Sequence, residues 1–247
     1  MFSPEGPTLR ELAVQALSSV ERGYDLLAPK FDHTPFRTPG PVLDAVAAAL
    51  RRTAPYEDGL DLCCGTGAGL DVLAEVCRGS VTGVDFSAGM LAEARGRTGA
   101  SVRLVRADAR ALPFGPAFDL VVSFGALGHF LPRELPGLFA QVHSVLRPGG
   151  RFAFPVMAPP RPSSLGYWML LGFDMVMRVR NAVWRPPFVM YYRAVRFGDL
   201  LRELERAGFV VDLHTLPGFG RRPDGSPRAR LVVARSGPHP AVGTVHP

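Results

Sequence analysis

Lysine is almost missing from this chain: Lys30 is the only one among 28 basic residues, in a sequence of 247 residues with a formal charge of +6. The surplus is therefore arginine, and it is scattered. Without basic runs or interleaved aromatics it does not form the electrostatic track that grips a nucleic acid, so no nucleic-acid partner is expected. The arginine bias reads instead as a GC-rich coding preference. Cysteine is scarce as well. Cys63 and Cys64 are adjacent and Cys77 stands apart, an odd number that builds no disulfide framework and no metal-ligand spacing. Three small thiols in a reducing cytosol, and no metal, are the expectation. No apolar run is long enough to span a bilayer, and Met1-Phe2-Ser3-Pro4-Glu5 lacks the basic and apolar regions of a secretion signal. A cytoplasmic protein with no transmembrane segment is expected. Internal repeats and low-complexity tracts are absent too. What is abundant is apolar content, 47%, ample for the core of one large α/β domain.

The most informative stretch is Asp61-Leu62-Cys63-Cys64-Gly65-Thr66-Gly67-Ala68-Gly69. Leu60 and Leu62 belong to a buried strand, and the glycines let the backbone turn tightly and approach a ligand that side chains would hold off. The helix that follows, over residues 70–78, points its amide-rich end at the same spot. Alone, such a turn often does no more than close a loop. Its context adds weight. Val81-Thr82-Gly83-Val84-Asp85 reads as a second strand ending in a carboxylate roughly 20 residues past the first motif glycine, where doubly wound folds hold a ribose diol. A third strand, residues 102–105, leads to Asp108 and Ala109. A fourth, residues 118–124, is apolar almost throughout, as a strand covered on both faces should be. A fifth, residues 151–155, follows the turn Leu146-Arg147-Pro148-Gly149-Gly150. Strands alternating with helices predict a parallel sheet with helices on both sides.

On these motifs, over about residues 20–155, the chain resembles the class I S-adenosylmethionine-dependent methyltransferases of the small-molecule type (methyltransferase type 11), related to the quinone-biosynthesis enzymes. The resemblance implies an α/β fold: a Rossmann-like, doubly wound, seven-stranded sheet, mostly parallel with one reversed strand, plus a helical lid. It implies S-adenosyl-L-methionine as cofactor and S-adenosyl-L-homocysteine as product. Asp61 then anchors the methionine part, through its amino group or an ordered water, the turn from Gly65 to Gly69, with Thr66 and Gly67, passes beneath methionine and sugar, and Asp85 takes the ribose. Phe86 lies beside the adenine, Met90 is a further cofactor-binding residue, Asp108 and Ala109 match the adenine edge, and Ser123 and Phe124 the strand end beneath the transferable methyl. Cys63 departs from the family pattern, which has glycine there; cysteine is small and apolar, so the turn is expected to survive.

A dinucleotide oxidoreductase is the rival nucleotide reading. Its G-x-G-x-x-G would need a third glycine where this chain has Leu70, and Asp61 would repel a pyrophosphate while suiting a cationic amino acid.

One domain over residues 1–247 is expected, divided into an N-terminal cap (1–40), the cofactor-binding core (41–156), a lid insertion (157–196), a closing helix with the last two strands (197–236), and a tail (237–247). In the cap, a single helix is expected over residues 9–21, followed by Tyr24-Asp25 and Phe31-Asp32. Tyr24 resembles the tyrosine that closes over the cofactor in many such enzymes, although an ordinary packing tyrosine would look the same. A further helix, residues 41–52, leads into the sheet. The irregular feature is residues 163–184, apolar on nearly every side of a helix. Such a segment must be buried or bury something. A lid over an apolar acceptor is the leading reading, with methionines and aromatics as a pliable pocket lining. A homodimer contact, which can coexist with a lid, and a membrane-surface patch near Arg178, Arg180 and Arg185 are its rivals.

The sulfonium of the implied cofactor is already activated, so the protein must chiefly align a nucleophile and exclude water. A base is needed only if the acceptor must lose a proton. His129, just beyond strand four, stands where a base would sit, and a cap or pocket-lining role would fit the same position. His33, Tyr191 and Tyr192 are weaker candidates. Methyl transfer by in-line displacement to the O, C or N of a hydrophobic small molecule is expected. The alternative is a cofactor-binding partner subunit without turnover; retention of Asp61, Asp85 and Asp108 favours the enzyme.

Overall fold

The computed structural model describes residues 5–34, 36–161, 163–185, 189–190 and 196–237. Seven strands form one sheet: β1 (Gly59–Leu62), β2 (Val81–Asp85), β3 (Val102–Arg106), β4 (Phe118–Val122), β5 (Leu146–Met157), β6 (Phe209–Thr215) and β7 (Ala229–Ser236). Their order is β3-β2-β1-β4-β5-β7-β6. Pairs from β3 to β5 are parallel, and β7 runs antiparallel to both β5 and β6, so one strand is reversed, as expected. The order changes direction between β1 and β4, which opens a crevice at their carboxyl ends, where such sheets bind ligands.

Both faces of the sheet are covered, and the two-residue period of the strands sorts their side chains accordingly. Leu60, Leu62, Val121, Phe152 and Phe154 pack on one side with α6 (Leu135–Val145) and α8 (Phe197–Arg206). Leu120, Val122 and Ala153 pack on the other with α3 (Gly40–Leu50) and α4 (Ala68–Val76). This double burial explains the almost unbroken apolar run of β4. The turn before β5 pairs with its neighbours and belongs to the strand, which starts at Leu146 rather than 151, with a register shift between Phe118 and Leu120.

The cap differs from the single helix expected. It contains α1 (Leu9–Leu17) and α2 (Val20–Leu27), followed by a 3-10 turn, Ala28–His33. Ser18 and Ser19 cause the break: the Ser18 hydroxyl donates back to the Val14 carbonyl at 2.8 Å, and the Ser19 hydroxyl accepts the Arg22 N–H at 3.2 Å. A serine that caps a new helix competes with continuation of the old one.

The insertion forms α7 (Leu165–Val183), capped by Ser164. Its burial is the reverse of what an all-apolar reading predicts, because the buried residues include Asp174 and Arg180 beside Met177, while Trp168 and Met169 are exposed. Arg180 donates to the Ser18 carbonyl at 2.9 Å and the Trp184 indole to the Leu17 carbonyl at 3.1 Å. Polar side chains thus dock α7 onto the ends of α1 and α2. Tyr191, Tyr192, His239 and His246 lie outside the described residues.

Candidate active site

At the end of β1 the Asp61 side chain is 1% exposed, and neither carboxylate oxygen has a hydrogen-bond partner within the protein. Burial, reinforced by the charges of Asp85 and Asp71, holds its pKa well above the ordinary carboxylate range. A buried carboxylate without a partner is costly unless a cation or donor meets it. The glycine turn wraps this group closely: a Cβ on Gly69 would stand 2.5 Å from Asp61 Oδ2 and 2.6 Å from the Phe124 ring.

The turn itself is left-handed at Cys63 (φ 57°), Gly65 (φ 53°) and Gly67 (φ 93°). Cys63 therefore closes the turn as expected, but in a backbone region that favours glycine, at a cost of about 1 kcal/mol. Its thiol is pushed up by burial and by the charges of Asp85, Asp61 and Asp108, and Cys64 is raised chiefly by burial as well. Neither is a nucleophile at neutral pH. Open space surrounds the position a Cβ would take on Gly65, so this part of the turn faces the crevice.

Asp85, at the end of β2, accepts the Gly65 N–H at 2.9 Å through one oxygen and the Ser87 N–H at 2.9 Å through the other. Burial raises its pKa while these amides pull it down. It ties the glycine turn to the start of α5 (Ala88–Arg97), and a carboxylate retains acceptor capacity beyond two such bonds. Met90, on α5, is wholly buried, and Ala109 belongs to the core. Asp108 is exposed and accepts from the Arg110 backbone N–H at 2.9 Å.

Two hydroxyls in the motifs are engaged inside the protein. Thr66 donates to Asp32 at 2.7 Å, and Ser123 donates to the Leu62 carbonyl at 3.0 Å, joining the ends of β4 and β1. Sequence reasoning missed the acidic partners supplied by the cap. Asp32 also meets Arg97, while Asp25 accepts the Ser87 hydroxyl at 2.6 Å and the Gly89 N–H at 2.9 Å. The closeness of Asp25 and Asp32 to Tyr24 was their available signal.

Tyr24 and His129 come together above the crevice. The Tyr24 ring lies edge-on to Phe86, with centroids 6.5 Å apart, and its hydroxyl is 2.9 Å from His129 Nε2. His129 Nδ1 is 2.8 Å from the Val189 carbonyl. A carbonyl only accepts, so Nδ1 carries the proton. Burial keeps the imidazole pKa below its ordinary 6.5, the Val189 bond opposing this and the Arg110 charge adding to it. The neutral ring therefore presents Nε2 as an acceptor, and Tyr24 donates to it. Met177 and Met190, with Phe36, Leu131, Phe173 and Val189, form an apolar cluster beside this pair. His33 instead faces Glu5, at 3.3 Å. Among the described residues no cluster of ligating side chains could hold a metal ion.

The sequence matches the family described as a methyltransferase domain over residues 60–150. An uncharacterized methyltransferase of Synechocystis is 33% identical over 159 residues, which cover 64% of this chain and 69% of that protein. The demethylmenaquinone methyltransferase of Staphylococcus aureus is 40% identical over 164 residues, covering 61% of this chain and 67% of that protein. Among solved structures, an S-adenosylmethionine-dependent methyltransferase from Mesorhizobium loti superposes with a TM-score of 0.55 at 28% identity, covering 78% of this chain and 99% of that one.

Proposed function

Because the chain belongs to the class I S-adenosylmethionine-dependent methyltransferases, we propose that it methylates an apolar ring compound bearing a hydroxyl group, with His129 as the base. The observation that carries this reading is the neutral His129 Nε2, already accepting from a phenolic hydroxyl, set against the methionine-rich cluster under α7.

The site suits its cofactor on physical grounds. Asp61 offers a buried, unpartnered carboxylate to an ammonium group, the Gly65 turn leaves room for a bulky neighbour, and Asp85 has acceptor capacity for sugar hydroxyls. When bound, S-adenosylmethionine supplies a sulfonium-activated methyl group. The protein's own part is positioning, exclusion of water and management of one proton. In this reading the acceptor hydroxyl takes the place of the Tyr24 hydroxyl at Nε2, and the imidazole accepts its proton. The resulting anion would be the nucleophile for that methyl group, through oxygen or through the adjacent ring carbon, with the C–S bond broken and S-adenosylhomocysteine as the leaving group. The Val189 carbonyl holds the imidazole in the required tautomer and steadies the imidazolium that forms. The aligned relatives named for demethylmenaquinone agree with an apolar ring acceptor.

The test is transfer of labelled methyl from S-adenosylmethionine to a panel of naphthols, hydroquinones, amines and carboxylic acids. Transfer to the hydroxylated rings, lowered about 100-fold or more in His129→Ala, supports the reading. Transfer confined to amines or acids, or indifferent to His129, counts against it.

A further inference from the structure

The outer face of α7 has no counterpart in the catalytic account. Leu165, Trp168, Met169, Val176, Val179 and Val183 are each 58–77% exposed. At 3.6 residues per turn they fall within roughly 120° of arc, a single stripe along the helix. The opposite side of the same helix buries Asp174 and Met177, and Met177 packs in the cluster with Tyr24. The helix is thus apolar along the face turned to water, while its inner face mixes Met177 with the polar Asp174 and Arg180. The stripe does not stop at the helix end: Trp184 is half exposed and bonds to Leu17, which is itself 51% exposed on α1. A continuous apolar surface of this kind is not left to water without a purpose.

We propose that this face seats the enzyme on the surface of an anionic lipid bilayer, so that an apolar acceptor passes from the lipid to the site beneath the lid; the inference rests on α7 covering the acceptor site. Charge selects this occupant. Residues 161–185 contain Arg161, Arg178, Arg180 and Arg185 against one carboxylate, Asp174, and that carboxylate is buried while Arg161, Arg178 and Arg185 are exposed. An apolar stripe with exposed arginines, Arg161 and Arg185, just beyond its two ends and tryptophan at its margin is the pattern of a helix lying in the plane of a membrane interface. Both tryptophans of the chain, Trp168 and Trp184, lie on this surface. A second copy of the chain fits less well. Two-fold pairing sets the patch against itself, bringing the arginine-flanked ends together with no exposed carboxylate of this segment to offset them. Among the described residues no helix is long and apolar enough to cross a membrane, so the contact is with one leaflet.

The experiment is co-sedimentation of the full chain with vesicles of phosphatidylcholine alone and of phosphatidylcholine with phosphatidylglycerol. Tryptophan emission and the mass in solution are recorded alongside. The proposal expects a monomer that binds the anionic vesicles, loses binding as salt rises, and shifts its emission to the blue. In a Trp168→Glu/Val176→Glu variant the bound fraction falls about five-fold or more, while S-adenosylmethionine binding, which reads the fold and the cofactor site separately, stays unchanged. A folded, cofactor-binding protein that ignores both vesicles overturns the proposal. A dimer that the double variant converts to monomer also overturns it, in favour of a second copy.

Discussion

Tyr24 and His129, 105 residues apart in the chain, meet at 2.9 Å, the phenol donating to an imidazole whose other nitrogen is held by the Val189 carbonyl, past the end of α7. The N-terminal helices, the sheet edge and the segment after α7 therefore converge on one ring. Removing the phenol in Tyr24→Phe takes away a hydrogen bond made to the neutral imidazole. Because the acceptor displaces this phenol in the complex, kcat should change by less than about ten-fold, while the acidic limb of the kcat/KM profile, which reports the free enzyme, moves to higher pH. His129→Gln removes the limb altogether and costs about 100-fold or more. Steady-state rates from ~pH 5 to ~pH 9 distinguish the two.

The same imidazole makes stability depend on pH. Its folded pKa lies below the ordinary 6.5, so the folded state binds this proton less readily than the unfolded chain. The contribution is complete above 6.5 and is lost as the pH falls from there through the lowered folded value. Melting temperatures between ~pH 5 and ~pH 7 should fall with acid, and the slope should be shallower in His129→Gln.

Cys63 occupies left-handed backbone at φ 57°. Cys63→Gly releases that strain at the expense of a more flexible unfolded chain. A net gain of no more than about 0.5 kcal/mol is expected, measured by urea denaturation, with cofactor affinity preserved. Because burial raises the thiol pKa, the wild-type residue should also resist thiol reagents at neutral pH in the folded state.

Gly89 takes part in docking the cap. A Cβ there would stand 2.9 Å from Asp25 Cα and 3.0 Å from its carbonyl oxygen, and Asp25 accepts the Gly89 N–H. Gly89→Val should cost about 2 kcal/mol. It should also free the cap for limited proteolysis around residues 18–34 before the sheet unfolds.

The sheet was legible because its signals are local. Apolar strands, glycine turns and their spacing specify β1 through β5, and sheet topology then brings Asp61, Asp85 and Ser123 to one edge. The break at Ser18 was harder to read, since apolar residues continue across it and only the two serine hydroxyls decide the matter. The engagement of Thr66 by Asp32 and of Ser87 by Asp25 depends on how the cap packs, which no spacing in the sequence specifies. The burial of α7 was hard to read for a related reason. Hydrophobicity predicts burial only where a partner surface exists, and in α7 Asp174 and Arg180 take the buried positions while the apolar stripe stays outside.

The central claim is that the unpartnered Asp61 carboxylate receives the ammonium group of S-adenosylmethionine. Burial raises its pKa and an arriving cation favours the charged form, so cofactor binding is coupled to loss of a proton from this carboxyl. Calorimetric titration of the cofactor-free protein at about pH 6, in buffers of differing ionisation enthalpy, measures both affinity and this proton. The account predicts micromolar binding with proton release. In Asp61→Asn binding weakens about 100-fold, roughly 2.7 kcal/mol, and the proton release disappears. Equal affinity and equal proton release in the two proteins, or no binding by folded wild-type protein, would contradict it.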